Sequence, residues 1–316
     1  MGPFLRRLAL SAATGVIFVY WSEIVFWARP TSGTSLVEMA PTTVAYAIAA
    51  YLFLATISAF RADRAPAVFL AGALFGWFVE GVIVQTMVED LPLSISFTGL
   101  AWHASITVMV GWWLVPRWLA GGSRRHRSLA VLAAGLGVAY GLWAMTWWTE
   151  VPPPTHPLAF AAYAARTTLV LGVAYAVAGR LSREPFRPSR LEWILMAGLI
   201  LAYLGFVTVP SAPLSLLVLP PLAALALVGL YRLRRRGDGE APRPKAIPLA
   251  RMTDYGPLLL LPLTATLVYS LGWVMDARLP TGIALYLVAT PLGFVLLSWS
   301  LWRAFSRRPA EVTGGA

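Results

Sequence analysis

Apolar positions in this chain follow neither the two-residue alternation of a half-buried strand nor the narrow stripe of a soluble helix. They run on for about 20 residues at a time, broken by short clusters of arginine, proline, glycine and serine. Runs of that length match the hydrocarbon core of a bilayer, and in lipid a backbone must satisfy its own polar groups, so each run predicts a spanning helix. Ten are expected, near residues 9–28, 42–60, 66–87, 95–119, 128–148, 157–179, 190–209, 214–232, 255–275 and 283–303. The seventh and eighth are parted only by the stretch holding Pro210 and Pro213, and Pro220 and Pro221 fall inside the eighth. The expected fold class is all-α: a polytopic membrane bundle forming a single domain over residues 1–304. A basic linker near 233–254, rich in Arg, Pro and Gly, and a short disordered tail at 305–316 complete the organisation.

Composition agrees with this pattern. Hydrophobic residues make up 58% of the 316 and charged residues 12%, which leaves no room for an ordinary soluble domain. Cysteine is absent, which excludes disulfides and thiolate metal sites. The net charge of +11 is the kind of excess that marks nucleic-acid binders, but the position of the charges argues for membrane topology instead. With the N-terminus inside, 22 of the 25 Lys and Arg residues fall on cytoplasmic segments. Arg29 and Arg278 lie outside and Arg166 lies within a span. The expected location is therefore the cell membrane, multi-pass, with both termini cytoplasmic and no nucleic-acid partner. The basic start and apolar run of the first segment have the form of a signal peptide, yet no small-residue cleavage site follows, so it is read as an uncleaved span.

Ionisable residues inside spans are the candidate chemistry, because a charge in hydrocarbon costs several kcal/mol unless it is paired, neutralised or watered. Glu23, Glu80, His103 and Arg166 qualify, with Glu89 and Asp90 at the turn between the third and fourth spans. Counted from the outer helix ends at a rise of about 1.5 Å per residue, the four lie about 8, 10, 12 and 14 Å deep, in one layer. Gly72, Gly76 and Glu80 stack at four-residue spacing on the third helix, and Gly99, His103, Thr107 and Gly111 on the fourth. Such small-residue rows let membrane helices approach, so Glu80 and His103 are expected to face the bundle. Glu80, His103 and Glu23 are the candidate acid–base or proton-relay residues. Arg166, Gln85, Trp77, Trp102 and Thr98 are the candidate substrate contacts. Many of the 14 tryptophans sit at span ends as interfacial anchors, and others suit an apolar or cationic ligand.

Several chemistries find no motif. The ionisable residues come from separate helices with no local ligand pattern such as H-E-x-x-H, so no metal is expected, and no cofactor, since P-loop and dinucleotide fingerprints are missing. Two function classes remain: a secondary, proton-coupled transporter of a small or lipid-like substrate, and a membrane-embedded enzyme acting on a lipid or isoprenoid by Glu/His acid–base chemistry. The expected partners are membrane lipids and that substrate. Similar Trp-containing endings of the first, fifth and ninth spans also raise a four-helix repeat as a possibility, set against chance similarity among apolar helices.

Overall fold

Helices start and stop where the chain chemistry requires. The computed structural model describes residues 1–30, 38–150, 154–236 and 246–306; the centre of the basic linker (237–245) and nearly all of the expected tail (307–316) lie outside them. Pro157 opens one helix in its first turn, where a missing N–H costs nothing, and the His156 side chain caps it by accepting from the Leu158 N–H at 3.3 Å. Ser189 and Glu192 form a reciprocal capping box at the start of the next helix. Ala28 and Arg61 end two others in the left-handed conformation.

Among the described residues, ten helices long and apolar enough to cross a membrane result: α1 (Pro3–Trp27), α2 (Ala40–Phe60), α3 (Ala65–Ile83), α4 (Leu93–Leu119), α5 (Ser123–Thr149), α6 (Pro157–Leu181), α7 (Arg190–Ser211), α8 (Ser215–Arg236), α9 (Met252–Val274) and α10 (Thr281–Phe305). The protein is 83% helical, with no strand among the described residues. The fold class is thus the all-α polytopic bundle. Boundaries shift modestly: α3 stops at Ile83 rather than 87 because Gln85 turns left-handed (φ 72°), and α5 begins at Ser123, carrying Arg124, Arg125 and Arg127 on its first turns.

The interior belongs to α1, α3 and α4. α3 packs along α4, α1 lies between α2 and α6, α8 and α10 cover α3 and α4, and α5, α9 and α6 form an adjoining group. Phe18, Phe53, Phe75 and Trp112 interlock edge to face between α1, α2, α3 and α4, with Phe18 and Phe75 rings 4.3 Å apart. In the most hydrophobic stretch of α3, 78% of residues are buried by protein; in α7 the share is 6%, so α7 presents its leucines outward. A four-helix repeat is not reproduced. The tight pairs α1–α2 and α3–α4 would have α5–α6 and α7–α8 as counterparts, and those barely touch.

One end of the bundle gathers the arginines. Arg6 donates to the Leu181 and Glu184 carbonyls at the end of α6, the Trp113 indole of α4 donates to the Asp63 carbonyl between α2 and α3, and Arg236 of α8 donates to the Arg303 carbonyl of α10. Arg7 and Glu192 form a largely buried ion pair at 2.5 Å that ties the start of α7 to α1. The ionisable layer lies towards the other end.

Candidate functional site

Three helices that meet at the site each lose regular α geometry there. Tyr20–Ile24 of α1, Val79–Ile83 of α3 and Phe97–Leu114 of α4 are π-helical, with N–H groups reaching back five residues rather than four. Such segments widen the helix and mark functional sites elsewhere in proteins. Here they hold Ser22 and Glu23, Glu80, and Thr98, Trp102, His103 and Thr107 respectively. Carbonyls along these segments take side-chain donors: the Trp102 indole donates to the Trp21 carbonyl at 2.9 Å, and the Tyr175 hydroxyl donates to the Gly111 carbonyl. The Trp21 indole in turn donates to that Tyr175 oxygen at 3.0 Å.

Glycine sets the approach of α3 to α4. A Cβ on Gly76 would overlap the Gly99 carbonyl and lie 2.9 Å from the His103 Cβ, and one on Gly111 would fall within the Trp21 ring. With Gly76 bare at the α3–α4 contact, Glu80 Oε1 and His103 Nε2 meet at 2.7 Å, both side chains almost fully buried. Thr86 donates to the other Glu80 oxygen. On the far side of the imidazole, Nδ1 lies 3.0 Å from Ser22 Oγ, which is itself 2.9 Å from Thr107 Oγ1. The result is one hydrogen-bonded chain, Thr86–Glu80–His103–Ser22–Thr107, crossing from α3 through α4 to α1.

This chain forms part of the wall of a cavity of about 380 Å³ between α1, α3, α4 and α10, a volume within the range of small-molecule sites. Glu23 lines the same cavity, held by the Tyr46 hydroxyl at 2.5 Å and the Trp27 indole at 3.1 Å. Glu89 and Asp90 line it from the α3–α4 turn, and Tyr286 of α10 closes one side by donating to Asp90 at 3.1 Å. Aromatic walls come from Phe26, Trp27, Phe97 and Trp102. Among the described residues no lysine or arginine lines the cavity.

Of the residues singled out from sequence, Glu80, His103, Glu23, Thr98 and Trp102 line this cavity. Three do not. Arg166 is exposed on α6 and donates to its own helix at Ala162, so it is not among the cavity residues. Its neighbours Leu169, Val170 and Val173 are large, apolar and exposed, whereas Tyr163, Thr168 and Tyr175 face inward; that split was a readable signal. Trp77 is buried away from the cavity and clasps α4 by donating to the Ile95 carbonyl at 3.1 Å. Gln85 turns back towards the Val82 carbonyl and lies outside the lining. Sequence reading missed Ser22, Thr86, Tyr46 and Tyr286, ordinary residues given their place by other helices. Among the described residues no group of three or more His, Asp and Glu side chains has the arrangement of a metal site.

Fold and site together define a multi-pass helical membrane protein with a buried Glu–His pair beside an acidic, aromatic-walled cavity. Comparison of the chain with known protein families, characterised proteins and solved structures gave no match.

Proposed function

We propose that this protein is a secondary transporter that binds a small solute in the cavity between α1, α3, α4 and α10 and couples its movement to a proton held by Glu80 and His103. The observation that carries the reading is the hydroxyl on the far side of the imidazole. With neutral His103, Nε2–H donates to the Glu80 carboxylate and Nδ1 accepts from Ser22. With one more proton, both ring nitrogens donate, and the Ser22 hydroxyl turns to accept and donates onward to Thr107. Glu80, His103, Ser22 and Thr107 keep hydrogen-bond partners within this series in both states, so the pair can gain or lose a proton without stranding a neighbour. A purely structural ion pair needs no such provision.

The arginine-rich ends lie opposite the cavity, so the positive-inside rule supports cytoplasmic termini, an extracytoplasmic cavity mouth and insertion in the cell membrane. Lipid covers the exposed apolar faces of α7, α8 and α10 in this reading, and no protein or nucleic-acid partner is invoked.

One observation favours a second reading, a membrane-embedded enzyme acting on a lipid or isoprenoid. Ser22, His103 and Glu80 are hydrogen-bonded in the order hydroxyl, imidazole, carboxylate, which is the order that activates a hydroxyl nucleophile or runs acid–base chemistry.

Mass spectrometry of lipids and metabolites from matched cells making wild-type protein or Glu80→Gln at equal membrane levels separates the two. The transporter reading expects an unmodified solute whose distribution across the membrane changes with Glu80. A new covalent product made only by the wild type overturns it in favour of the enzyme. Identical profiles overturn both and leave the pair a structural element.

A further inference from the structure

The charge inventory of the cavity is one-sided. Glu23, Glu80, Glu89 and Asp90 all line it, and among the described residues neither lysine nor arginine does; His103 is the one basic side chain among them that lines it. The four carboxylates come from three separate pieces of chain, α1, α3 and the α3–α4 turn, so they are not a run of acids on one loop. Much of the remaining lining is aromatic. Phe26 and Trp102 meet edge to face with ring centroids 4.9 Å apart, Trp27 stands beside Glu23, and Phe97 packs against Tyr286 at 4.7 Å. Aromatic faces carry negative charge density and hold organic cations, and a cavity of one sign with low-dielectric walls concentrates ions of the other sign.

We propose that the solute taken into this cavity is an organic ammonium cation, and that it competes with a proton for the Glu80–His103 pair. The proposal deepens the transporter reading and rests on it for the coupling. The groups around the pair or lining the cavity with it are Glu23 from α1, Tyr46 from α2, Thr86, Glu89 and Asp90 from the α3–α4 turn, Thr98 on α4 and Tyr286 from α10. None brings a positive charge. Deprotonated, the pair carries a net charge of minus one and attracts the cation; protonated, it is neutral and attracts it less. Lower pH therefore weakens cation binding, and binding releases a proton. A trimethylammonium group reaches such a site either as a free small solute or as the headgroup of a choline lipid. A lipid phosphate would lie among carboxylates, which favours the free solute.

The test uses the purified full chain in neutral detergent with choline and its uncharged carbon isostere, 3,3-dimethylbutanol, which has nearly the same shape. Calorimetry is expected to show choline binding at least tenfold tighter than the isostere, with proton release in weakly buffered solution. Glu80→Gln is expected to abolish the release and weaken choline at least tenfold while leaving the isostere unchanged. Asp90→Asn, on the exposed turn, gives a second reading of the charge effect if Glu80→Gln fails to fold: choline binding falls at least twofold. Equal affinity for choline and the isostere, or choline binding that neither variant weakens, overturns the proposal. Displacement of choline by lysophosphatidylcholine upholds the cation site and assigns the headgroup as its source; failure to displace upholds the free solute. Choline binding without choline flux in proteoliposomes overturns the transport reading and keeps the cation site, whereas Glu80-dependent flux of a neutral solute does the reverse.

Discussion

At the scale of the residue, the pairing of Glu80 with His103 turns an unfavourable group into a tolerated one. A carboxylate this deep is strongly disfavoured alone, and here it accepts from an imidazole and from Thr86. His103→Ala removes one partner and leaves the acid buried, so it should destabilise the fold by about 3–5 kcal/mol. Glu80→Gln keeps the shape and one acceptor oxygen and should cost only about 1–2 kcal/mol. Thermal unfolding of the two variants in detergent checks the order; a larger loss for Glu80→Gln would contradict the pairing. The sequence exposed this pair because glycine rows at four-residue spacing pointed both residues into the bundle. It hid Ser22, a common residue on an apolar helix whose role exists only because His103 and Thr107 of α4 lie opposite. Arg166 lies outside the cavity for the reverse reason: its depth was countable along the helix, but depth does not fix which side of α6 faces outward.

At the scale of the element, the site depends on departures from regular helix. Reaching back five residues widens the turn, so a uniform rise per residue does not hold along α4 through His103. Apolar patterning carried no trace of this, because a run that is hydrophobic on all sides looks the same in either geometry. The close contact of α3 and α4 was legible, since Gly72 and Gly76 shared one face of α3 and Gly99 and His103 one face of α4. Gly76→Val should force the helices apart at the Gly99 carbonyl, costing about 1–3 kcal/mol by overpacking. Cation binding should fall with it, and size-exclusion profiles with calorimetry measure both. α7 depends on a different device. Its hydrophobic stretch is hardly buried, and the Arg7–Glu192 pair and its capping box fasten its first turn. Glu192→Ala should loosen that end by about 2 kcal/mol, seen as faster amide exchange over residues 190–203 with α3 and α4 unaffected.

At the scale of the whole molecule, ten helices with clustered arginines at one end make the topology directly testable, because the chain has no cysteine of its own. Arg278→Cys, exposed between α9 and α10 at the cavity end, should react with a membrane-impermeant maleimide on intact cells. Arg183→Cys, exposed after α6 at the arginine end, should react only after permeabilisation. The opposite pattern would invert the bundle and place the cavity mouth in the cytoplasm. Helix number, approximate boundaries and the facing of Glu80 and His103 followed from sequence alone, because a bilayer imposes a length on every span and makes buried charge rare enough to notice. Which helices are neighbours, that α7 stands outside while α3 is enclosed, and that four carboxylates share one cavity with no arginine among its described residues were decided only by the tertiary structure. All ten spans are apolar enough to meet lipid or protein equally well, so composition cannot rank them. The choice rests on close packing between particular surfaces, which no single helix carries by itself.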